Sequence, residues 1–186
     1  VVFTEKMIDY IFDALSLDRK RDILDRDGKL CKVDFTTPFA RIDYIELLKK
    51  DTGLDITTFT DADALRKELH KQDIAFEGME TMGLTTLVDN IYKKVSRPKI
   101  INPAFVYHFP DYMQPLARRN DDEPSTVDQF QLVINGWEIL KAYSELVDPV
   151  DQAARFAEQG EAKTAGDEEA MEGDDEYIIA MEHGMP

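Results

Sequence analysis

Apolar residues recur at helical spacing along the first part of the chain. Between residues 4 and 15 they return every three or four positions, which predicts a helix that begins at Thr4 as its N-cap. Asp43 and Glu46 form a capping-box pattern ahead of a second apolar stripe, and Gly53 is placed to end that helix. We therefore expect two amphipathic helices in the first 53 residues.

Two further helices and one hairpin complete the pattern up to residue 97. Thr60 and Asp63 predict the start of a third helix, and apolar residues three and four apart within 84–91 predict a fourth. Asp27-Gly28 lies between two short apolar runs, which predicts a hairpin with a tight turn. We expect the stretch 36–97 to be a small helical insertion that serves packing.

A β-type pattern replaces the helical one after Pro98. Residues 100–109 are rich in β-branched and aromatic side chains, which favours a strand. Residues 130–134 and 137–146 flank Asn135-Gly136, a dipeptide that favours a two-residue hairpin turn. This is the strongest hairpin signal in the chain.

Two helices are predicted near the end of the chain. Asp148 can cap a helix that has Pro149 at its first position, and the apolar face of this helix is predicted to consist of Val150, Ala153, Phe156 and Ala157. A loop rich in glycine and acidic residues follows at 166–175, and a last short helix is expected to stop at Gly184.

Charge and cysteine content narrow the classes of function. The 186 residues carry 38 acidic and 22 basic side chains, a net charge of −16, which is unlike a domain whose main task is to grip nucleic acid. Cys31 is the only cysteine, so an internal disulfide and a thiol-rich metal site are excluded. No apolar run is long enough to span a bilayer, and we expect a cytoplasmic protein with no membrane partner. The chain opens at Val1 without an initiator methionine and stops at Pro186, so we expect an internal piece of a longer polypeptide.

The predicted hairpin at 130–146 carries the candidate chemistry. Glycine-rich phosphate loops, zinc-ligand spacings and serine elbows are absent from the sequence. With a regular register around the two-residue turn, Gln131 faces Leu140. Gln131 and Glu138 are then diagonal neighbours on one face, within reach of one small ligand or ion.

Three residues of the second strand alternate and therefore share the other face. Lys141, Tyr143 and Glu145 place a cation, an aromatic ring and a carboxylate in one row. Such a row suits a zwitterion, with Glu145 for an ammonium group, Lys141 for a carboxylate and Tyr143 for the stem. The alternative is an ion pair between Lys141 and Glu145 on a solvated strand.

Three segments carry a resemblance to a known family. NPAFVYHFPDYMQPLARRND (102–121), GWEILKAYSELVDPVDQAARFAEQ (136–159) and the pair AGDEEAM and AMEHGMP within 165–186 are similar, in order and spacing, to class II lysyl-tRNA synthetases. In that family they lie between the second and third class motifs. The match is strong over residues 100–186 and looser over 1–99, where PFARIDYIELLKK resembles a strand-to-helix junction of the family.

The resemblance implies a fold and an activity. The expected fold is α+β, an antiparallel catalytic sheet flanked by helices, with residues 100–186 in the core and 1–99 as an insertion-like helical segment with a hairpin. The expected parent enzyme is a homodimer that activates lysine with ATP and Mg²⁺ and esterifies tRNA. The second motif's arginine would precede Val1 and the third motif's arginine would follow Pro186, so we expect the 186-residue chain alone to be inactive.

The resemblance also assigns roles to the hairpin residues. Glu138 corresponds to a glutamate that holds magnesium near the ATP phosphates, and Gln131 stands at the second magnesium position. Tyr143 corresponds to the aromatic residue along the lysine stem, and Glu145 to the carboxylate that pairs with the side-chain ammonium. Lys141 stands where the family has an asparagine that meets the substrate carboxylate.

Three departures leave a second interpretation open. Gln131 replaces a glutamate, Lys141 replaces an asparagine, and Gln114 stands where the family usually has serine. An amide can coordinate a metal through its oxygen, but it brings one charge less than a carboxylate to a site that prefers anionic oxygen. The alternative is a non-catalytic module that kept the synthetase fold. Glu138 and Glu145 are seven residues apart, so a regular strand places their side chains on opposite faces. If both face one substrate, a β-bulge or a strong twist near Leu140-Lys141 must interrupt the alternation.

Overall fold

The computed structural model describes residues 1–164 and 173–184. Short 3-10 helices and one π-helical turn at Tyr92–Ser96 connect the main elements. The helices and strands follow one another as α1 (Val2–Ala14), β1 (Lys20–Leu24), β2 (Leu30–Asp34), β3 (Ala40–Asp43), α2 (Tyr44–Thr52), α3 (Ala62–Lys71), α4 (Leu84–Ile91), β4 (Ala104–Pro110), β5 (Thr126–Ile134), β6 (Trp137–Tyr143), α5 (Pro149–Thr164) and α6 (Asp175–Glu182).

Two sheets organise the strands. β1 and β2 form the predicted hairpin, and a four-stranded sheet has the order β3-β4-β5-β6. The pairs β4–β5 and β5–β6 are antiparallel, whereas β3 pairs with β4 in parallel. The α+β class and a largely antiparallel sheet with flanking helices are therefore confirmed, and the parallel edge strand β3 is an addition that the pattern did not predict.

The predicted N-cap is correct for α2 and wrong for α1 and α3. The Asp43 side chain accepts a hydrogen bond from the Glu46 amide at 3.0 Å, so the predicted capping box is present at α2. Asp61, and neither Thr60 nor Asp63, caps α3. Thr4 lies inside α1 instead of capping it, because the helix begins two residues earlier and Thr4 is buried.

Hydrophobic clusters cover both faces of the four-stranded sheet. The larger one joins α2, α3 and α4 to side chains such as Val106 and Val133 on one face. The smaller one joins Phe12 of α1 and the β1–β2 hairpin to Phe105 and Leu132 on the other face. The helical segment before residue 99 thus shares its core with the sheet, and the division of the chain at that residue stays a prediction.

The turn between β5 and β6 has the predicted conformation. Asn135 and Gly136 both have positive φ, 50° and 75°, as a two-residue type I′ turn requires. Their amides donate to the carbonyls of Ile101 and Ile100, which ties the turn to the chain ahead of β4. A Cβ on Gly136 would lie 3.3 Å from Pro98 Cα, so glycine also permits this close approach.

The predicted apolar face of α5 is only partly correct. Phe156 is buried as expected, whereas Val150 is 78% exposed and Ala153 is also exposed. Gln152 and Arg155 are buried instead, because they bond to the backbone ahead of β5. Most of the predicted acidic loop, including the AGDEEAM segment, lies outside the described residues. Among the described residues no helix is long and apolar enough to cross a membrane.

Candidate substrate and metal site

A β-bulge in β6 sets the geometry of the candidate site. Glu138 pairs with Val133 and Leu140 pairs with Leu132, so Ile139 is an extra residue in the ladder. The predicted bulge is confirmed, one residue earlier than Leu140-Lys141. A bulge inserts an unpaired residue and changes which face the following side chains occupy.

The bulge corrects the predicted distribution of side chains between the faces. Gln131 pairs with Lys141 and not with Leu140. Directly opposed residues share a face, and Gln131 and Val133 alternate on one face of β5. Lys141 therefore lies on the same face as Gln131 and Glu138, and the prediction that it lies on the opposite face is wrong. Tyr143 pairs with Gln129 and lies on the same face as Gln131 and Lys141.

Gln131 is held by a buried tyrosine. Gln131 is 7% exposed, and its side-chain oxygen accepts a hydrogen bond from the Tyr92 hydroxyl at 2.9 Å. Burial raises the pKa of Tyr92 well above its usual range, so this hydroxyl keeps its proton. Tyr92 follows α4 directly, and its ring packs on Tyr44 at 4.9 Å between centroids. The helical segment thereby fixes one of the two predicted metal positions.

Lys141 contacts the loop that follows β4. Its Nζ donates to the Gln114 side-chain oxygen at 2.7 Å. Partial burial lowers the pKa of Lys141, while the carboxylates of Glu138 and Asp89 act in the opposite direction. Among the described residues Lys141 and Glu145 form no ion pair, so the alternative of a Lys141–Glu145 pair is not what the structure shows.

Glu138 and Glu145 differ in their neighbours. The Glu138 carboxylate lies 3.6 Å from the guanidinium of Arg97, and about one third of its side chain is exposed. Glu145 lies just beyond β6, where it forms an isolated bridge with Ala117. Its carboxylate is exposed and accepts a long hydrogen bond, 3.5 Å, from the Tyr177 hydroxyl of α6. Glu145 is therefore accessible to a ligand.

α5 fixes the loop beside this row. The Arg155 guanidinium donates to the carbonyls of Ala117 at 2.7 Å and Gln114 at 3.2 Å. The Gln152 side chain donates to the Pro115 carbonyl at 3.0 Å. Gln114 is thus held through its backbone by α5 while its side chain meets Lys141.

A cavity lies on the other face of the sheet. It measures about 600 Å³ and is lined by apolar rings of Phe105 and Phe130, which belong to the face opposite Gln131. Of the five predicted site residues only Tyr143 contributes to its wall. Next to Tyr143, Gln129 is 4% exposed, and neither atom of its side-chain amide has a hydrogen-bond partner among the described residues.

The structure adds residues that sequence reasoning did not select. Tyr92, Arg97, Arg155 and Tyr177 each contact a predicted site residue or its supporting loop. They come from three separate parts of the chain, residues 92–97, α5 and α6, and no local pattern links them to the hairpin. Gln114 was selected only as a departure from the family pattern.

The described residues offer limited support for a bound metal. No three His, Cys, Asp or Glu side chains among them form a cluster that could hold a metal ion. Glu138 can offer a carboxylate oxygen, which magnesium favours. The Gln131 oxygen already accepts from Tyr92, and the Lys141 ammonium is its cross-strand neighbour. The residues therefore fit a magnesium ion that is held through Glu138 and do not fit one that Gln131 and Glu138 share.

Comparison with known proteins defines the class. The whole chain, residues 1–186, matches the family described as tRNA synthetases class II (D, K and N). The chain therefore belongs to the class II tRNA synthetase family.

Individual relatives narrow the comparison further. The chain is 38% identical to the lysine–tRNA ligase of Aquifex aeolicus (strain VF5) over 187 residues, which is 100% of this chain and 30% of that protein. It is 38% identical to the lysine–tRNA ligase of Wolinella succinogenes over 98% of this chain and 35% of that protein. It is 39% identical to the lysine–tRNA ligase of Campylobacter jejuni (strain RM1221) with the same coverage. The chain thus spans about a third of the length of these relatives.

Proposed function

We propose that this chain is part of the catalytic domain of a lysine–tRNA ligase. The observation that carries the proposal is identity of 38–39% along almost the whole chain to relatives of that name. The geometry adds support, because the bulge at Ile139 places Glu138 and Lys141 on one face of the hairpin. The family uses ATP and Mg²⁺, and we propose lysine, ATP and tRNA as the substrates of the full-length protein, with a homodimer as its assembly.

The proposed reaction has two steps. The lysine carboxylate attacks the α-phosphorus of ATP, which forms lysyl-adenylate and releases pyrophosphate. A tRNA hydroxyl then attacks the activated carbonyl, which forms lysyl-tRNA and releases AMP. Magnesium would offset phosphate charge in the first step.

Each of the five predicted site residues has a proposed part in binding lysine, ATP or magnesium. Glu145 is accessible and carries the charge that a lysine side-chain ammonium requires, and Tyr143 is 40% exposed beside it, so its ring can cover the aliphatic stem. Glu138 would hold magnesium near the phosphates. Gln131 is the second residue that the resemblance assigns to metal, and its oxygen is engaged by Tyr92. Lys141 is within reach of an anionic group of either substrate.

A non-catalytic synthetase-like module is the second candidate. The observation that favours it is the pair of departures at Gln131 and Lys141, which removes one anion and adds one cation at the site. Such a module would bind its ligand without turning it over.

Lysine-dependent exchange of pyrophosphate into ATP separates the two candidates. We expect the full-length protein to catalyse exchange and Glu145→Ala to reduce it strongly, with Glu158→Ala on the exposed face of α5 as a matched control. We expect the 186-residue chain alone to remain at background. Full-length protein that binds lysine without exchange would support the non-catalytic module and refute the proposed activity.

A further inference from the structure

The Lys141 ammonium lies on the face of the hairpin that carries the proposed site. It is next to Gln131, the position at which the family has a second carboxylate. Lys141 lies directly across the ladder from Gln131, so their Cβ atoms are separated by about 4.5–5.5 Å. The ammonium is oriented by the Gln114 side-chain oxygen at 2.7 Å. It is therefore a positioned cation on the proposed ATP-binding face.

The charges around this ammonium disfavour a divalent ion at the same place. Gln131 and Gln114 are neutral, and Glu138 is the one carboxylate of the predicted metal pair. The Arg97 guanidinium already lies 3.6 Å from Glu138. A metal shared by positions 131 and 138 would lie beside the Lys141 ammonium, and like charges at short range repel. The Asp89 carboxylate, which also acts on Lys141, is paired with Lys93.

The side-chain oxygen of Gln131 already accepts a hydrogen bond. It accepts the Tyr92 hydroxyl at 2.9 Å inside the core, and this hydroxyl stays protonated. An amide oxygen that serves a buried donor is a poor substitute for a carboxylate, because magnesium prefers charged oxygen and strict octahedral geometry. Moving Gln131 onto a metal would leave the Tyr92 hydroxyl buried without a partner, which is costly.

We infer that Lys141 is a built-in cation that contacts the phosphate oxygens of bound ATP, so that residues 131 and 138 do not share a divalent metal ion. The inference rests on the proposed function, since it requires ATP as a ligand. An ammonium is a compact point charge that binds phosphate oxygens well, and here it takes over the charge-offsetting task of one metal ion. Glu138 keeps its carboxylate for a single metal.

Manganese binding measured by electron paramagnetic resonance tests the inference. Full-length protein is saturated with a non-hydrolysable ATP analogue and titrated with Mn²⁺, which counts metal ions per bound nucleotide. The comparison is wild type against the double variant Gln131→Glu/Lys141→Asn. We expect the double variant to bind one Mn²⁺ more per nucleotide than wild type, because it regains a carboxylate and loses the competing ammonium.

Nucleotide affinity without divalent metal gives an independent measure. In EDTA, we expect Lys141→Asn and Lys141→Gln to weaken binding of the analogue roughly ten- to a hundredfold, the scale of one hydrogen bond to a charged group. Lys67→Asn makes the same change of net charge at an exposed position of α3 and should leave the affinity unchanged.

Three outcomes would overturn the inference. Equal Mn²⁺ counts in wild type and the double variant would show that Lys141 does not replace a metal. Lys141 variants that lose affinity for lysine but keep metal-free binding of the analogue would place the ammonium on the substrate carboxylate. Both outcomes leave ATP binding, and so the proposed function, intact. Wild type that does not bind the analogue even with Mn²⁺ would overturn the inference and the proposed function together.

Discussion

Replacing Arg155 by methionine tests how α5 holds the loop beside Lys141. The Arg155 side chain is 3% exposed, and its guanidinium donates to the carbonyls of Ala117 at 2.7 Å and Gln114 at 3.2 Å. Methionine keeps much of the aliphatic volume but removes both donors. Asp151 retains its ion pair with Arg119, so the main loss is at the two carbonyls.

The expected cost follows from these two contacts. A hydrogen bond to a charged group contributes about 1.5–3 kcal/mol. Ala117 is buried, so its carbonyl would lose a hydrogen-bond donor without replacement. Gln114 is only half-buried, so its carbonyl can accept a hydrogen bond from water instead. The sum is about 2–4 kcal/mol, which corresponds to a decrease in Tm of roughly 5–15 °C for a domain of this size.

Calorimetric unfolding of the purified protein measures this decrease. Wild type, Arg155→Met and Arg118→Met are compared at one protein concentration and without ligands, because bound ligands shift Tm. Arg118 is the matched control, since it lies in the same neighbourhood but its side chain is 45% exposed, so that water can in part replace its ion pairs with Asp121 and Asp128. Equal Tm values for the two variants would refute the role of Arg155 as the anchor of the loop.

Two further predictions concern the frame of the site. Gly136→Ala should destabilise the protein by about 1–2 kcal/mol more than Gly28→Ala in urea unfolding, because both glycines have positive φ but only the first added Cβ meets Pro98 at 3.3 Å. Equal losses would show that the close approach is relieved without cost. Glu5 has a pKa below its ordinary value of 4.5 because Arg41 donates to its carboxylate, so its contribution to stability is present above that pH and is lost as the pH falls through the lowered pKa. Glu5→Gln should therefore lower Tm at neutral pH and converge with wild type in acid, and a difference that persists below the lowered pKa would contradict this reasoning.

Local signals in the sequence predicted much of the frame. The capping pattern at Asp43 and the Asn135-Gly136 turn both appear as expected, because each depends on a few adjacent residues. The prediction that Thr4 caps α1 was wrong. Thr4 lies four residues before Ile8, so its side chain belongs to the face of the helix that packs against the core. Tertiary burial there outweighs a local capping preference.

The face on which Lys141 lies could not be derived from alternation alone. A regular two-residue hairpin pairs Gln131 with Leu140, and one bulged residue shifts every later pair. A bulge was predicted near Leu140-Lys141, and only through the functional requirement that Glu138 and Glu145 meet one substrate; the structure has it at Ile139. Short sequence patterns do not specify such a bulge here, because Ile139 is an exposed residue of ordinary type and β6 contains no glycine or proline that would mark the position.

The partners of the site residues depend on long-range contacts. Tyr92 reaches Gln131 across 39 positions of sequence, and Arg155 reaches Ala117 across 38. Composition and spacing carry no information about such pairs. For the same reason the buried polar face of α5 was missed, since Gln152 and Arg155 resemble surface residues until their backbone acceptors are known.

Calorimetry of lysine binding to the full-length protein tests the central claim most directly. The account predicts that Glu145→Gln weakens lysine roughly tenfold or more while it leaves ATP affinity unchanged, because the variant removes only the charge that pairs with the ammonium. Glu158→Gln, at an exposed position of α5, should behave as wild type. Equal affinity for lysine in wild type and Glu145→Gln would contradict the assignment of this chain to a lysine-activating enzyme.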